Sequence, residues 1–309
     1  MIIHKGYKNL RLKAPVVTMG IFDGVHLGHR SLIDYLVTCS GQVGGESVVI
    51  TFHPHPRLVL EKNTIGITFL STMEEKIELL EKARIGHLII IDFTSAFSKI
   101  KACDFVEDIL VGEIGTKHLI VGYDHHFGHH KEGDFNTIKE CAVSMGFKIG
   151  QVQGLRSETG AISSSAIREA LLKGNVEQAA GWLGYNYSFT GKVIEGRRIG
   201  RKLGFPTANI SPDDRHKLIP ADGVYAVEVK MDGKSMKGML SIGMNPTVNE
   251  RAGRRSIEVN IFDFGEEIYG RKVDIIFRFR LRDEIKFAST LQLAQQMEID
   301  RENAMKLLL

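Results

Sequence analysis

The chain has 309 residues, 43% of them hydrophobic and 25% charged, which fits two packed domains and excludes a disordered or collagen-like polymer. Residues 1–185 carry 19 Lys and Arg against 20 Asp and Glu, and residues 186–309 carry 21 against 17. Neither part is therefore a polyelectrolyte, and no nucleic-acid partner is expected.

Short apolar runs rich in Val and Ile recur in the first half: Val16–Met19, Ser47–Phe52, His87–Ile91, His118–Val121 and Phe147–Val152. Runs this apolar predict strands buried on both faces, as in a parallel sheet covered by helices. Amphipathic stretches at 28–40, 72–85, 103–114 and 135–146 supply those helices, so residues 1–185 are expected to form a doubly wound α/β domain. A helix at 165–173 and a segment at 176–184 make the join. Beyond Trp182 the texture turns to glycine-rich turns and alternation. Gly223–Met231 and Ser235–Ile242 flank Asp232-Gly233, a pair suited to a two-residue hairpin turn. Ile257–Phe264, Lys272–Leu281 and an amphipathic helix at 289–308 complete an antiparallel β-barrel domain over 186–309.

No run approaches the roughly 20 apolar residues needed to span a bilayer. The opening MIIHKGYKNLRLK lacks a secretory apolar stretch. A cytoplasmic protein without a membrane partner is expected. Cys39, Cys103 and Cys141 lie far apart without CxxC spacing, which predicts reduced, buried thiols and neither a disulfide framework nor a thiolate metal site.

The strand Val16–Met19 runs into Gly20-Ile21-Phe22-Asp23-Gly24-Val25-His26-Leu27-Gly28-His29, where helical periodicity begins. Gly24, His26, Gly28 and His29 thus fall at the carboxyl edge of the sheet and the amino end of its first helix, a place that favours anions. Both histidines can donate N–H to phosphate oxygens, and Gly28 leaves room for close approach. Neither a GxxxxGK[ST] nor a GxGxxG loop is present. The alternative, two histidines that merely cap a helix, explains the glycines less well. The H-x-G-H segment marks the nucleotidylyltransferase superfamily, and GIFDGVHLGHR resembles the FMN adenylyltransferase module of the bifunctional bacterial riboflavin kinase/FAD synthetases. Thr51-Phe52-His53-Pro54-His55-Pro56-Arg57, Val121-Gly122-Tyr123-Asp124 and Ile162-Ser163-Ser164-Ser165-Ala166-Ile167-Arg168 resemble three further motifs of that module. The resemblance implies an ATP site at Gly20, Phe22, Asp23, Gly24, His26, Gly28, His29, Asp124, Ser163, Ser164, Ser165 and Arg168. Among these, His26, His29 and Arg168 carry catalysis. It also implies flavin contacts at Pro54, His55 and Pro56. This chain reads Asp124-His125-His126-Phe127-Gly128 where the family usually has an aromatic residue and an arginine, so a conditionally charged side chain replaces a permanent one. His129 and His130 follow without acidic or thiol partners at ligand spacing, and no metal cluster is expected there.

The second half holds one dense basic run, Gly196-Arg197-Arg198-Ile199-Gly200-Arg201-Lys202-Leu203-Gly204-Phe205-Pro206-Thr207-Ala208-Asn209. Its glycines let backbone N–H groups converge while Arg198 and Lys202 add charge, the makings of a phosphate cradle. Thr207 and Asn209 offer neutral oxygens suited to Mg²⁺. A basic surface loop would explain the arginines but not the Pro-Thr-Ala-Asn run. Glu258 and Asn260 share one face of an alternating strand, opposite Ile257 and Val259. On the inner side of a barrel mouth Glu258 could take a proton from a primary alcohol; a solvent-facing edge glutamate is the alternative. The segment resembles the riboflavin kinase motif, as do Gly223–Val227, Ser241–Thr247, Ile257–Phe264 and Arg282–Phe287. This implies an ATP site at Gly196, Arg198, Gly200, Lys202, Gly204, Thr207 and Asn209. Glu258 becomes the catalytic acid/base position, with flavin contacts at Asn260 and Arg282.

The combined expectation is riboflavin to FMN, then FMN to FAD, with ATP as co-substrate, Mg²⁺ as cofactor, and a monomer or weak homo-oligomer. Two alternatives stay open. One is a kinase whose adenylyltransferase half is weak or inactive, because of the histidines at 125–126. The other is a non-catalytic flavin- or RNA-binding regulator.

Overall fold

The computed structural model describes residues 1–123, 135–157, 160–196, 204–244 and 255–309. The chain divides into two compact units, Met1–Ser164 and Ser165–Leu309.

The first unit holds a six-stranded parallel sheet built from β1 (Ile2–Lys5), β2 (Val16–Met19), β3 (Ser47–His53), β4 (His87–Asp92), β5 (His118–Gly122) and β6 (Lys148–Val152). Their order across the sheet is β1-β4-β3-β2-β5-β6. The helices are α1 (Leu27–Gln42), α2 (Pro56–Leu60), α3 (Met73–Lys82), α4 and α5 (Phe135–Met145). α4 opens as Ala102–Asp104 and continues as the π-helix Phe105–Glu113. Strand alternation sends neighbours to opposite faces. Val17, Val48 and Ile89 pack with Phe105, Ile109 and Ile138 on one side. Val16, Val49 and Leu88 pack with Ile33, Leu36 and Leu80 on the other. That is why these strands read as continuous apolar runs. The sheet order reverses beside β2, and the β2–α1 turn leaves the sheet there. Strand β1 was not expected: as an edge strand with Ile2 and Ile3 exposed, it gains its regularity only from pairing with β4.

One expectation is overturned. Cys103 on α4 and Cys141 on α5 form a disulfide with Cα atoms 6.0 Å apart, leaving Cys39 as a free, buried thiol. A separation of 38 residues hides that the two helices lie side by side.

A two-stranded ribbon, β7 (Arg156–Ser157) and β8 (Gly160–Ala161), precedes α6 (Ser164–Leu172). The second unit continues with α7 (Val176–Leu183), β9 (Ser188–Ile194), β10 (Ala208–Pro212), β11 (Gly223–Met231), β12 (Lys234–Met244), β13 (Arg255–Ile261), β14 (Lys272–Arg282) and α8 (Thr290–Leu307). The six strands close into an antiparallel barrel in the order β10-β13-β12-β11-β14-β9. Phe277 sits within 5.2–6.3 Å of the Tyr187, Phe189 and Tyr225 rings. Burial raises the Tyr225 hydroxyl to a pKa of about 12, and that hydroxyl donates to the Ala221 carbonyl (2.7 Å). On the opposite pleat Ala226, Met239 and Phe262 pack against Ala304 of α8. Arg280 ties α6 and α7 to the barrel: its guanidinium donates to the Lys173 and Asp222 carbonyls, and its N–H donates to Glu177 (3.3 Å). The texture change at residue 185 and the division after Ser164 therefore differ by these two helices.

Candidate active sites

In the first unit, β2 ends at Met19 and the chain folds back on itself before α1. Phe22 (φ 51°) and Gly24 (φ 77°) adopt left-handed backbone, Phe22 being fully buried. A Cβ on Gly20 would meet the Phe22 ring at 3.2 Å. Asp23 is buried, and its Oδ1 accepts from the Leu70 N–H (2.9 Å) and Ser71 N–H (3.1 Å). Ser71 Oγ in turn accepts from the Gly24 N–H (2.9 Å). Ser164, the first residue of α6, donates from Oγ to the Asp23 carbonyl (2.9 Å). These bonds hold the turn from both sides.

His26 caps α1: its Nδ1 accepts from the His29 N–H at 3.3 Å, which leaves Nε2 as the ring's donor. The two imidazoles stack with centroids 3.7 Å apart, and Phe22 meets the His29 ring edge-on at 5.1 Å. A Cβ on Gly28 would sit 3.1 Å from the His26 ring, so glycine is what lets His26 fold over the helix start. His29 Nδ1 is buried and, among the described residues, has no hydrogen-bond partner. Burial, reinforced by His26 and Lys76, holds the His29 pKa well below the ordinary histidine value. Two stacked imidazoliums would repel each other, and a neutral His29 avoids that cost.

The other motif positions are placed as follows. Ser165 lies one residue into α6, and Arg168 donates to its hydroxyl (3.2 Å). His55 caps α2 through Nδ1 (3.1 Å from the Arg57 N–H) and stacks on Phe69 at 4.1 Å. Pro56 opens that helix, and Pro54 follows a cis peptide bond. Ser163, which precedes Ser164, is half-buried. Asp124, together with His125, His126, His129 and His130, lies outside the described residues.

In the second unit, Thr207, Asn209, Glu258 and Asn260 share one face. Asn209 pairs with Glu258 across β10 and β13. Thr207 Oγ1 donates to Glu258 Oε2 at 3.1 Å. Asn260 is buried and donates to the Pro206 carbonyl (2.7 Å). A Cβ on Gly196 would collide with the Asn209 amide, and Gly204 takes φ 84° just before the Pro-Thr-Ala-Asn run. An adjoining cleft of about 170 Å³ is lined by Thr207, Ala208, Val259, Ile261, Ile268 and Tyr269, among others. The sequence placed Glu258 inside the barrel mouth, whereas cross-strand partners put it outside. Ser241 faces Glu258 and Met239 faces Asn260, and Met239 packs beneath α8. The lumen is filled by the opposite pleat, Leu240, Ile242 and Val259. Arg198, Gly200 and Lys202 lie outside the described residues. Arg282 is engaged elsewhere: its Nε and Nη2 clamp the buried Asp300 of α8 at 2.6–3.0 Å.

Two families match along the chain: FAD synthetase over residues 9–166 and riboflavin kinase over residues 183–308. A bifunctional riboflavin kinase/FMN adenylyltransferase of Listeria monocytogenes is 37% identical, covering 93% of this chain and 90% of its own. The chain belongs to the bifunctional riboflavin kinase/FMN adenylyltransferase family. Its members in Bacillus subtilis (35% identity; 94% and 92% coverage) and Escherichia coli (35%; 98% and 97%) match at similar length. A solved structure described as a macrolide-efflux protein from Streptococcus pneumoniae has a TM-score of 0.89 at 31% identity, covering 99% of both chains. No helix of the described residues is long and apolar enough to cross a membrane. The riboflavin kinase/FMN adenylyltransferase family thus accounts for both units, and the sites above are where its two ATP-dependent reactions are sought. The sequence reading missed Ser71, which braces the β2–α1 turn, and the buried Lys76 of α3. Nothing in an ordinary Glu-Glu-Lys helix start (Glu74-Glu75-Lys76) marks the lysine.

Proposed function

We propose that this chain makes FMN and then FAD at two separate sites, with all adenylyl-transfer motifs within residues 1–185 and all kinase motifs within 186–309. In the kinase reaction the 5′-hydroxyl of riboflavin attacks the γ-phosphorus of ATP, yielding FMN and ADP. Glu258 is oriented by Thr207 and takes the hydroxyl proton. Magnesium suits the neutral oxygens of Thr207 and Asn209 beside that carboxylate, in a recess that Gly196 keeps open for the Asn209 amide. When bound, the ion would neutralise phosphate charge. The neighbouring cleft offers an apolar wall to the nucleoside end of ATP.

In the adenylyl transfer, a phosphate oxygen of FMN attacks the α-phosphorus of a second ATP and pyrophosphate leaves. That oxygen is already anionic, so no strong base is required. The α1 amino end and the N–H groups of His26 and His29 receive the charge that develops on the leaving group. The sequence motif assigns Arg168 to the same chemistry, and His55, stacked on Phe69, offers a flat surface to a flavin. Arg282, a flavin candidate by its motif, acts instead by fixing α8 on the barrel through Asp300. The enzyme works in the cytoplasm as a monomer or weak homo-oligomer.

The observation that carries this reading is the stacked His26–His29 pair at the amino end of α1, where the strand order reverses. Incubating the full chain with riboflavin, ATP and Mg²⁺ and separating the flavins by chromatography tests it. FMN followed by FAD is expected. FMN alone would confine the chain to the kinase, unchanged riboflavin would overturn the kinase assignment, and no FAD from supplied FMN and ATP would overturn the adenylyl-transfer assignment.

A further inference from the structure

Lys76 is 5% exposed, rare for a side chain that prefers to keep its ammonium in water. It sits in the first turn of α3, whose start is fixed by a reciprocal cap. Thr72 Oγ1 accepts from the Glu75 N–H (3.2 Å), and Glu75 Oε2 accepts from the Thr72 N–H (3.0 Å). Glu75 is thereby occupied at the helix start. The residues just before this cap, Leu70 and Ser71, are the ones whose N–H groups bind Asp23. Lys76 is therefore buried close to the β2–α1 turn, near enough for Asp23 to attract its charge and for that charge to act on His29.

We propose that Lys76 is a positioning residue of the adenylyl-transfer site, its buried ammonium held by Asp23 under the turn and lending positive charge to the triphosphate from inside the domain. This rests on the placement of ATP at His26 and His29. Among the described residues, the charged and titratable groups that interact with Lys76 are Asp23 of the turn and His29 of α1, and His26 stacks on His29. The division of labour follows from their chemistry. A lysine beneath His29 disfavours the imidazolium, so His29 serves as a neutral hydrogen-bond donor to phosphate and the lysine supplies the charge.

Burial lowers Lys76 to a pKa of about 8, against the opposing pull of Asp23. Its charge is present below that pH and lost above it. The test is the pH profile, from pH 6.5 to 9.5, of kcat/KM for ATP in FAD formation from FMN by the full chain. Riboflavin phosphorylation by the same samples serves as the reference. For the unaltered chain, FAD formation is expected to fall about fivefold between pH 8 and pH 9 relative to the kinase reaction, as a group of pKa near 8 deprotonates. Lys76→Arg, which stays charged, is expected to remove that fall. Lys76→Met is expected to lower kcat/KM by at least about tenfold at pH 7 and to raise the His29 titration seen in histidine NMR spectra. Superimposable profiles for the unaltered chain and Lys76→Arg would overturn the proposal, whether or not Lys76→Met folds. If FAD forms equally well in His29→Ala, the placement of ATP fails instead, and that result is separate from any Lys76 effect.

Discussion

Thr207 and Glu258 are 51 residues apart in sequence, yet the threonine hydroxyl donates to the carboxylate over 3.1 Å. The bond joins the end of the glycine-rich basic segment to the strand that carries the proposed acid/base residue. It points the hydroxyl proton at Glu258 and leaves the oxygen lone pairs of Thr207 facing outward. Glu258→Gln keeps the shape and removes the proposed base. Riboflavin phosphorylation is expected to drop by about 10² to 10⁴, while FAD formation from supplied FMN stays within twofold. Gly196→Ala, which pushes a methyl group into the Asn209 amide, is expected to raise KM for Mg-ATP in the same reaction. Chromatographic separation of the flavins reads both. Undiminished phosphorylation by Glu258→Gln would remove it from that role.

His29→Ala removes one N–H donor and the stacking partner of His26. Losing a single preorganised donor to developing phosphate charge costs about 10² to 10³ in kcat. FAD formation should fall by that factor and FMN formation should not change. Pyrophosphate release, measured with FMN and ATP, checks the first; riboflavin consumption checks the second. Parallel loss of both would contradict separate sites.

Asp300 is 3% exposed and receives the Arg282 guanidinium on both oxygens, with Gln296 also donating to Oδ1 at 2.9 Å. Removing one partner of a buried pair strands the other, at a cost of about 3–5 kcal/mol. Asp300→Ala should therefore loosen α8 and lower the urea midpoint of the barrel unit. Riboflavin affinity should weaken as a secondary effect. A variant as stable as the parent would show that α8 is held by its apolar face alone.

The His29 pKa lies well below 6.5 in the folded chain, chiefly because of burial. The unfolded chain binds that proton first as pH falls, so the stabilising contribution is full above pH 6.5 and declines as pH drops from there toward the folded value. His4 and His118, also lowered by burial, add the same sign. Unfolding free energy is expected to rise from pH 5 to pH 7, and His29→Gln should flatten part of that rise. Denaturant titrations at several pH values measure it. A slope unchanged by the substitution would assign it to other groups.

Much of this was legible from residue patterns. The runs at Val16–Met19 and Ser47–Phe52 can be read because both their faces are buried, so no polar residue interrupts them. The turn Gly20–His29 can be read because its glycines serve backbone conformations that few other residues adopt. Ile2–Lys5 could not be read, since an edge strand is defined by its neighbour. The inward side of the barrel was misjudged because alternation identifies two faces without telling which one a helix covers. The motif around Arg282 suggests a ligand contact and gives no hint of Asp300. Lys76 and the Cys103–Cys141 pair were invisible for one reason: each is defined by what another part of the chain brings against it.

The allegiance of α6 and α7 has a practical side. Arg280 spends its guanidinium on the Lys173 carbonyl, and Ala221 donates its N–H to Leu171 (2.9 Å). Cutting the gene where the apparent linker ends, at 186, would strip those acceptors away and leave a cation and an amide facing bare solvent. Anyone wishing to isolate the vitamin-phosphorylating half would do better to begin at Ser165.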